Sequence, residues 1–176
     1  MTAWLHRGFT LIELLVAMSI AGLLLVMAMP GYTLWVLDNE IRNGAQSVAA
    51  GLRAAQAAAI SRNLNVQFVL APGGWTVQMA NPPNTVLETA SFAEGSRNVL
   101  VTGLDAGGAA ATTISFNALG QVITGANVVR IDVTVPSVAP SRSLRVIVGE
   151  TQAGLPFHGV KLCDTKFTLP DPKACP

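Results

Sequence analysis

The chain has 176 residues, 51% hydrophobic and 12% charged, with 11 basic side chains against 10 acidic ones. That length allows one modest domain plus the apolar segment at the start. The near-neutral balance argues against wholesale nucleic-acid binding, though it leaves room for a local basic patch, and the alternation of apolar and polar residues beyond Tyr32 argues against disorder.

The first predicted element lies within RGFTLIELLVAMSIAGLLLVMAMPGY, from Arg7 to Tyr32. A secretory signal peptide would use Arg7 as its charged region, Leu14–Met29 as its apolar core and the small residues near Ala28 as its cleavage site. Glu13 opposes that reading, because an acid at the head of the apolar core disfavours insertion. A plain membrane anchor is the second reading. Phe9–Met29 as a helix would span about 30 Å, the thickness of the hydrocarbon core. Arg7 precedes it and Asp38 and Glu40 follow, a bias that leaves the N-terminus in the cytoplasm. Glu13 again stands out, since a charge at mid-bilayer costs roughly 2.5–3.5 kcal/mol.

A third reading accounts for the acid. Gly8-Phe9-Thr10-Leu11-Ile12-Glu13-Leu14 resembles the processing site of type IV pilins and pseudopilins. The resemblance implies a leader, residues 1–8, removed by a prepilin peptidase that cuts between Gly8 and Phe9 and methylates the new Phe9 amine. Glu13 would then be the fifth residue of the mature chain. Pro30 matches a proline common in the family's helices, where a missing backbone donor loosens the helix. By the same analogy Glu13 neutralises the Phe9 amine of a neighbouring subunit during filament assembly. The physical reason is that neither charge is comfortable in lipid, and their attraction grows once both leave water. Residues 9–30 would form the transmembrane and filament-core segment.

Residues 31–62 predict an amphipathic continuation of the helix. Leu34, Leu37, Ile41, Ala45, Val48, Leu52, Ala55 and Ala59 recur every three or four positions, and AGLRAAQAAAI is rich in strong helix formers. The spacing also suits a dimerising coiled coil, but the small alanines favour close packing on a sheet. Gly44 and Gly51 weaken an isolated helix, so tertiary packing must hold it. The helical signal fades near Ser61-Arg62-Asn63.

From residue 63 to the end the pattern becomes β-rich. Expected strands are Val66–Leu70, Trp75–Met79, Val86–Phe92, Val99–Leu104, Thr112–Asn117, Gln121–Ile123, Val128–Val135, Leu144–Val148 and Val160–Cys163. Pro72-Gly73-Gly74 reads as a turn, Asn117-Ala118-Leu119-Gly120 as a hairpin turn with glycine in a left-handed position, and 107–111 and 136–141 as loops. The expected class is α+β, an antiparallel β domain packed on the extramembrane half of the helix.

Sequence motifs for chemistry are missing: there is no phosphate-binding loop, no nucleophile elbow and no zinc signature. His158 would be the one histidine left after loss of the leader, and a lone loop histidine is ordinarily a surface residue. Trp75 is expected in the core rather than stacked on a ligand. No catalytic residue, metal, cofactor or small-molecule substrate is expected. The only cysteines, Cys163 and Cys175, would in an exported domain most simply form a disulfide.

The tail VKLCDTKFTLPDPKACP, with the long helix, the Arg62-Asn63 strand entry and the Gly-Gly-Trp strand, resembles the GspH/FimT-type minor pilins, with a pilin fold. Members often end in a strand leading into a cysteine, an Asp- and Pro-containing loop and a second cysteine, here Cys163, Asp164, Asp171-Pro172 and Cys175. Some FimT-like pilins bind DNA through Gly-Arg-x-Arg just before this region. The corresponding positions are His158, Gly159, Val160 and Lys161, of which only the last keeps a charge. Arg142, Arg145, Lys161, Lys166 and Lys173 give residues 142–176 a formal +2 against Glu150, Asp164 and Asp171. The competing reading is a solvated strand edge.

The expectation is therefore a structural, non-enzymatic minor pilin of a type IV pilus. It would prime assembly near the tip and support adhesion, twitching motility or DNA uptake. Its implied partners are the prepilin peptidase/methyltransferase, other minor and major pilins and an inner-membrane assembly platform. The implied location is a single pass through the bacterial inner membrane, the domain periplasmic, and then the filament. Alternatives are a FimT-like DNA receptor for transformation, a GspH-type pseudopilin of type II secretion, and an unprocessed membrane-anchored binding module.

Overall fold

A computed structural model describes residues 9–123, 128–136, 143–149, 151–152, 155–156 and 159–175; the side chains of Pro30, 151–152 and 155–156 lie outside that description. The chain divides into two compact units, one ending at Val36 and one running from Leu37 to Pro176.

Helix α1 covers Leu11–Arg62 and contributes to both units. Thr10 caps its start: the hydroxyl oxygen accepts from the Glu13 N–H at 3.3 Å, and the Thr10 carbonyl accepts from Leu14 N–H at 3.2 Å. Asn63 ends it in a left-handed conformation (φ 54°). Leu64 N–H bonds to the Ala59 carbonyl and Asn63 N–H to the Ile60 carbonyl, the paired bonds of a Schellman motif. Pro30 is helical although it has no N–H for the Val26 carbonyl.

In the first unit every described side chain from Phe9 to Met29 is exposed. An 18-residue window of this part of the helix is apolar enough to cross a membrane, and none of it is buried.

The second unit begins with the rest of the helix. Ile41, Ala45, Val48, Leu52, Ala55 and Ala59 are buried and Leu37 is partly so, as the periodicity requires. Leu34, expected in the same stripe, is instead exposed; it belongs to the unit ending at Val36. The stripe meets β-sheets, so it is a core face and not a coiled-coil seam.

Strands β1 (Val66–Ala71), β2 (Gly74–Met79), β3 (Val86–Ser91) and β5 (Thr113–Phe116) form one antiparallel sheet in the order β3-β2-β1-β5. Strands β4 (Leu100–Leu104), β6 (Arg130–Thr134), β7 (Ser143–Val148) and β10 (Val160–Asp164) form a second, in the order β10-β7-β6-β4. Val128 N–H donates to the Thr113 carbonyl at 3.0 Å, and Ala111 N–H to the Gly103 carbonyl at 3.0 Å, which stitches the two sheets where the chain passes between them. Val66, Phe68, Val77, Ile114 and Phe116 from the first sheet and Ile131, Val133, Val146 and Val148 from the second share one core with the helix.

Some expected bounds shift. Gln121–Ile123 is not a strand: it makes one bridge, Val122 to Phe116, with Ile123 N–H bonded to the Ser115 carbonyl, and the ladder goes no further because Val128 N–H takes the Thr113 carbonyl. Phe92 leaves its strand and is buried, its N–H bonded to the Gly73 carbonyl. Ala110, in the expected 107–111 loop, makes a bridge to Leu104. A short hairpin of β8 (Thr151–Gln152) and β9 (Leu155–Pro156) was not expected, since two-residue strands leave no periodic trace. Residues 137–141 of the expected 136–141 loop lie outside the described residues.

The 117–120 turn forms as expected. Gly120 has φ +75° and donates to the Asn117 carbonyl, while the Asn117 side-chain oxygen accepts from the Leu119 and Gln121 N–H groups. Gln56 reaches from the helix to donate to the Gly120 carbonyl at 2.8 Å, locking the turn to α1.

Candidate functional site

The residues singled out in the sequence fall into two clusters, one at each end of the chain. At the N-terminal end Phe9 is 84% exposed, immediately before the cap residue Thr10. Glu13 is exposed in the first turn of α1, at the third helical position. Two physical effects favour a carboxylate there. The helix N-terminus presents partial positive charge, and Thr10-x-x-Glu13 is the sequence form of a capping box, whose threonine half is made. The Thr-x-x-Glu spacing is itself the signal in the sequence that marks Thr10 as the cap. Between Phe9 and Leu37 Glu13 is the only charged residue. Gly8 and the rest of the expected leader, residues 1–8, lie outside the described residues.

At the other end Cys163 and Cys175 form a disulfide, with Cα atoms 5.1 Å apart and a separation of 12 in sequence. Cys163 is buried in β10 and Ala174 is fully buried beside its partner cysteine. Two aspartates shape the enclosed loop. Asp164 accepts from Lys166 N–H at 3.0 Å and Asp171 from Lys173 N–H at 2.8 Å. Asp164 N–H donates to the Lys173 carbonyl, which runs the loop's return beside the end of β10. The Ser143 and Thr165 hydroxyls bond to each other, tying the loop to β7.

The cationic residues lie in the C-terminal loop and on one face of the second sheet, where register places Arg130, Arg145 and Lys161 on the adjacent strands β6, β7 and β10. Lys166 and Lys173 are exposed in the loop, and the Lys173 ammonium lies 5.8 Å from the centre of the Phe167 ring. Lys161 is half-buried in β10, opposite Ile147. Arg145 is engaged: its guanidinium donates to both oxygens of Asp132 on the adjacent strand, at 2.6 and 3.1 Å. Arg130 Nε stands 4.0 Å from the same carboxylate. Arg142 and His158 lie outside the described residues. The Arg145–Asp132 pair escaped the sequence reading because charge alternation in a strand does not reveal which strand lies beside it.

Trp75 is buried, as its position predicts. It stacks on Phe68 with ring centres 5.6 Å apart and donates to the Ser47 hydroxyl at 3.0 Å. An open groove of about 700 Å³ runs past its edge, lined by small and polar residues including Ser47, Thr76, Thr89 and Glu94. Among the described residues no three His, Cys, Asp or Glu side chains converge as a metal site.

With this arrangement established, comparison with protein families decides the affiliation. Residues 44–152 match the model of the Type II transport protein GspH, and residues 5–29 match the prokaryotic N-terminal methylation motif. The chain belongs to the GspH family. Among solved structures it is similar to the type IV minor pilin FimU of Pseudomonas aeruginosa (strain PAO1). The TM-score is 0.47 and the identity 16%, over 71% of this chain and 89% of that one. A search of curated proteins gave no match. The GspH match takes in the packed half of α1 and most strands of both sheets, and the methylation motif takes in the start of the exposed apolar helix. A GspH-family chain of this kind is a pilin-like structural subunit, α+β, and among the described residues it has one helix long and apolar enough to cross a membrane.

Proposed function

We propose that this GspH-family protein is a minor pilin of a type IV pilus that helps prime filament assembly near the tip. A prepilin peptidase cuts between Gly8 and Phe9 and methylates the Phe9 amine. The mature helix crosses the inner membrane once, with its start cytoplasmic and the β domain periplasmic. Assembly then transfers it into the filament beside other pilins. The observation that carries the reading is the lone carboxylate, Glu13, inside the matched methylation motif and at the head of an exposed apolar helix. Charge isolated in hydrocarbon is strongly penalised, so Glu13 needs a partner, and a neighbour's Phe9 amine supplies one. Pro30 lets the helix adjust as it leaves lipid for its neighbours.

Replacing Glu13 with Ala tests this. Incorporation into sheared filaments is expected to fall by about tenfold or more, the effect of leaving one buried charge unpaired. Membrane levels of the subunit stay at those of the parent. Parental incorporation at parental abundance defeats the pairing. N-terminal sequencing of the mature protein is expected to begin at methylated Phe9.

A second reading, a pseudopilin of type II secretion, draws support from the description of the matched family. It is distinguished by deletion: loss of exoprotein secretion with twitching and pili intact favours the pseudopilin. A DNA-receptor role draws less support, since the Arg145 guanidinium is held by Asp132.

A further inference from the structure

The apolar stretch of α1 does not give way directly to charge. Beyond Met29 come Pro30, Gly31, Tyr32, Thr33, Leu34 and Trp35, and the first charged side chain is Asp38. Tyr32 and Trp35 are three residues apart on one helix face, with ring centres 6.1 Å apart and planes inclined by 32°. They are 66% and 63% exposed. A soluble surface rarely spends two large rings in this way. Tyr and Trp differ from Leu or Phe in combining an apolar body with a polar tip, the combination suited to a boundary between oil and water.

Their height along the helix agrees. Phe9–Met29 fills a hydrocarbon core of about 30 Å, and each headgroup layer adds about 5–8 Å. Tyr32 lies about 4.5 Å beyond Met29 and Trp35 about 9 Å. Helical aromatic side chains lean back toward the N-terminus, which brings the Trp35 ring down into the same layer. Asp38, at about 13 Å, clears it into water.

We propose that Tyr32 and Trp35 form a docking face for the headgroup layer of the outer leaflet and fix the depth of the helix before assembly. The proposal rests on the membrane-spanning reading of the apolar segment. Its consequence concerns Glu13. With the far end pinned, Glu13 sits about 6 Å inside the opposite face of the hydrocarbon, four residues from Phe9. A fixed depth thus presents the carboxylate at a constant level to the amine of an incoming neighbour. Loss of the aromatic pair frees the helix to slide along the bilayer normal.

Depth-dependent quenching of Trp35 tests this in the full-length chain reconstituted into vesicles of phosphatidylcholine with a minority of phosphatidylglycerol. Trp4 is replaced by Phe throughout, and the Trp35 signal is the difference between Trp4→Phe and Trp4→Phe/Trp35→Phe chains. The buried Trp75 is common to both and cancels. Lipids brominated near the headgroup are expected to quench that signal at least about twofold more than lipids brominated near the chain ends, as an interfacial ring requires. Equal quenching, or stronger quenching from the chain ends, overturns the proposal, because the ring would then sit in the core. No quenching in vesicles that float with the protein also overturns it and assigns the rings to water or to a neighbouring subunit. Failure to float with vesicles overturns the membrane-spanning reading itself. Moving the indole about 100° around the helix, by Leu34→Trp with Trp35→Leu, is expected to keep the headgroup preference, since height sets it, and loss of that preference overturns the proposal.

Discussion

Gly51 and Gly44 carry the same disadvantage in a helix, about 1 kcal/mol relative to Ala, yet they occupy different surroundings. A Cβ on Gly51 would stand 2.8 Å from the Trp75 ring and 2.9 Å from Phe68. That ring cannot retreat freely, because Phe68 stacks on it and its N–H is bonded to Ser47. Gly51 is therefore the gap through which the helix reaches the sheet. Gly51→Ala is expected to destabilise the protein by about 1–3 kcal/mol despite its better helix propensity. A Cβ on Gly44 would meet Val99 at 3.3 Å and Ser96 and Val133 at 3.5 Å, mostly ordinary contact with side chains that can yield. Gly44→Ala is expected to stay within about 1 kcal/mol of the parent. Urea unfolding in detergent solution separates the two, and equal stabilities would show that the indole can shift after all. The sequence alone treats these glycines alike. Only the partner across the interface distinguishes them.

At the scale of elements, legibility followed the range of the interactions. The helical stripe from Leu37 to Ala59 could be read directly, because its periodicity is a property of neighbours three and four apart. The helix end was equally local, and Asn63 supplies the left-handed residue that closes it. Most strands were legible within a residue or two, and the Asn117–Gly120 turn with them. The division into two sheets was not, because strand order depends on contacts far apart in sequence. Asp132 and Arg145 illustrate this: each looks like an ordinary outward-facing strand residue, yet register places them directly opposite. Both side chains are about a quarter exposed, so their coupling is screened only in part. A double-mutant cycle of Asp132→Ala and Arg145→Ala is expected to give a coupling of about 0.5–1 kcal/mol, the upper range of a cross-strand charge pair. A coupling near zero would release Arg145 from its structural role and return it to the surface available for ligands.

On the scale of the whole molecule, the C-terminal staple reports on both stability and location. The enclosed loop has its own hydrogen bonds, from Asp164 to Lys166 and from Asp171 to Lys173, but these order turns and do not by themselves keep Ala174 buried. The disulfide, across a separation of 12 residues, and the bond from Asp164 N–H to the Lys173 carbonyl hold it beside β10. In the chain-entropy description a loop this short stabilises by roughly 2–3 kcal/mol. Cys163→Ser with Cys175→Ser is expected to lower the unfolding free energy by about that amount. A reductant should reproduce the loss in the parent and leave the double variant unchanged. Equal sensitivity to reductant in both chains would remove the bridge as the cause. The same thiols also test topology, because such a bridge persists in an oxidising compartment and not in the cytoplasm. In growing cells alkylation before and after reduction is expected to find Cys163 and Cys175 oxidised in the processed protein. Blocking translocation of the domain should leave both thiols reduced and accessible. Reduced thiols in the mature, membrane-bound chain would place the β domain on the cytoplasmic side, and the orientation inferred from Arg7, Asp38 and Glu40 would have to be reversed.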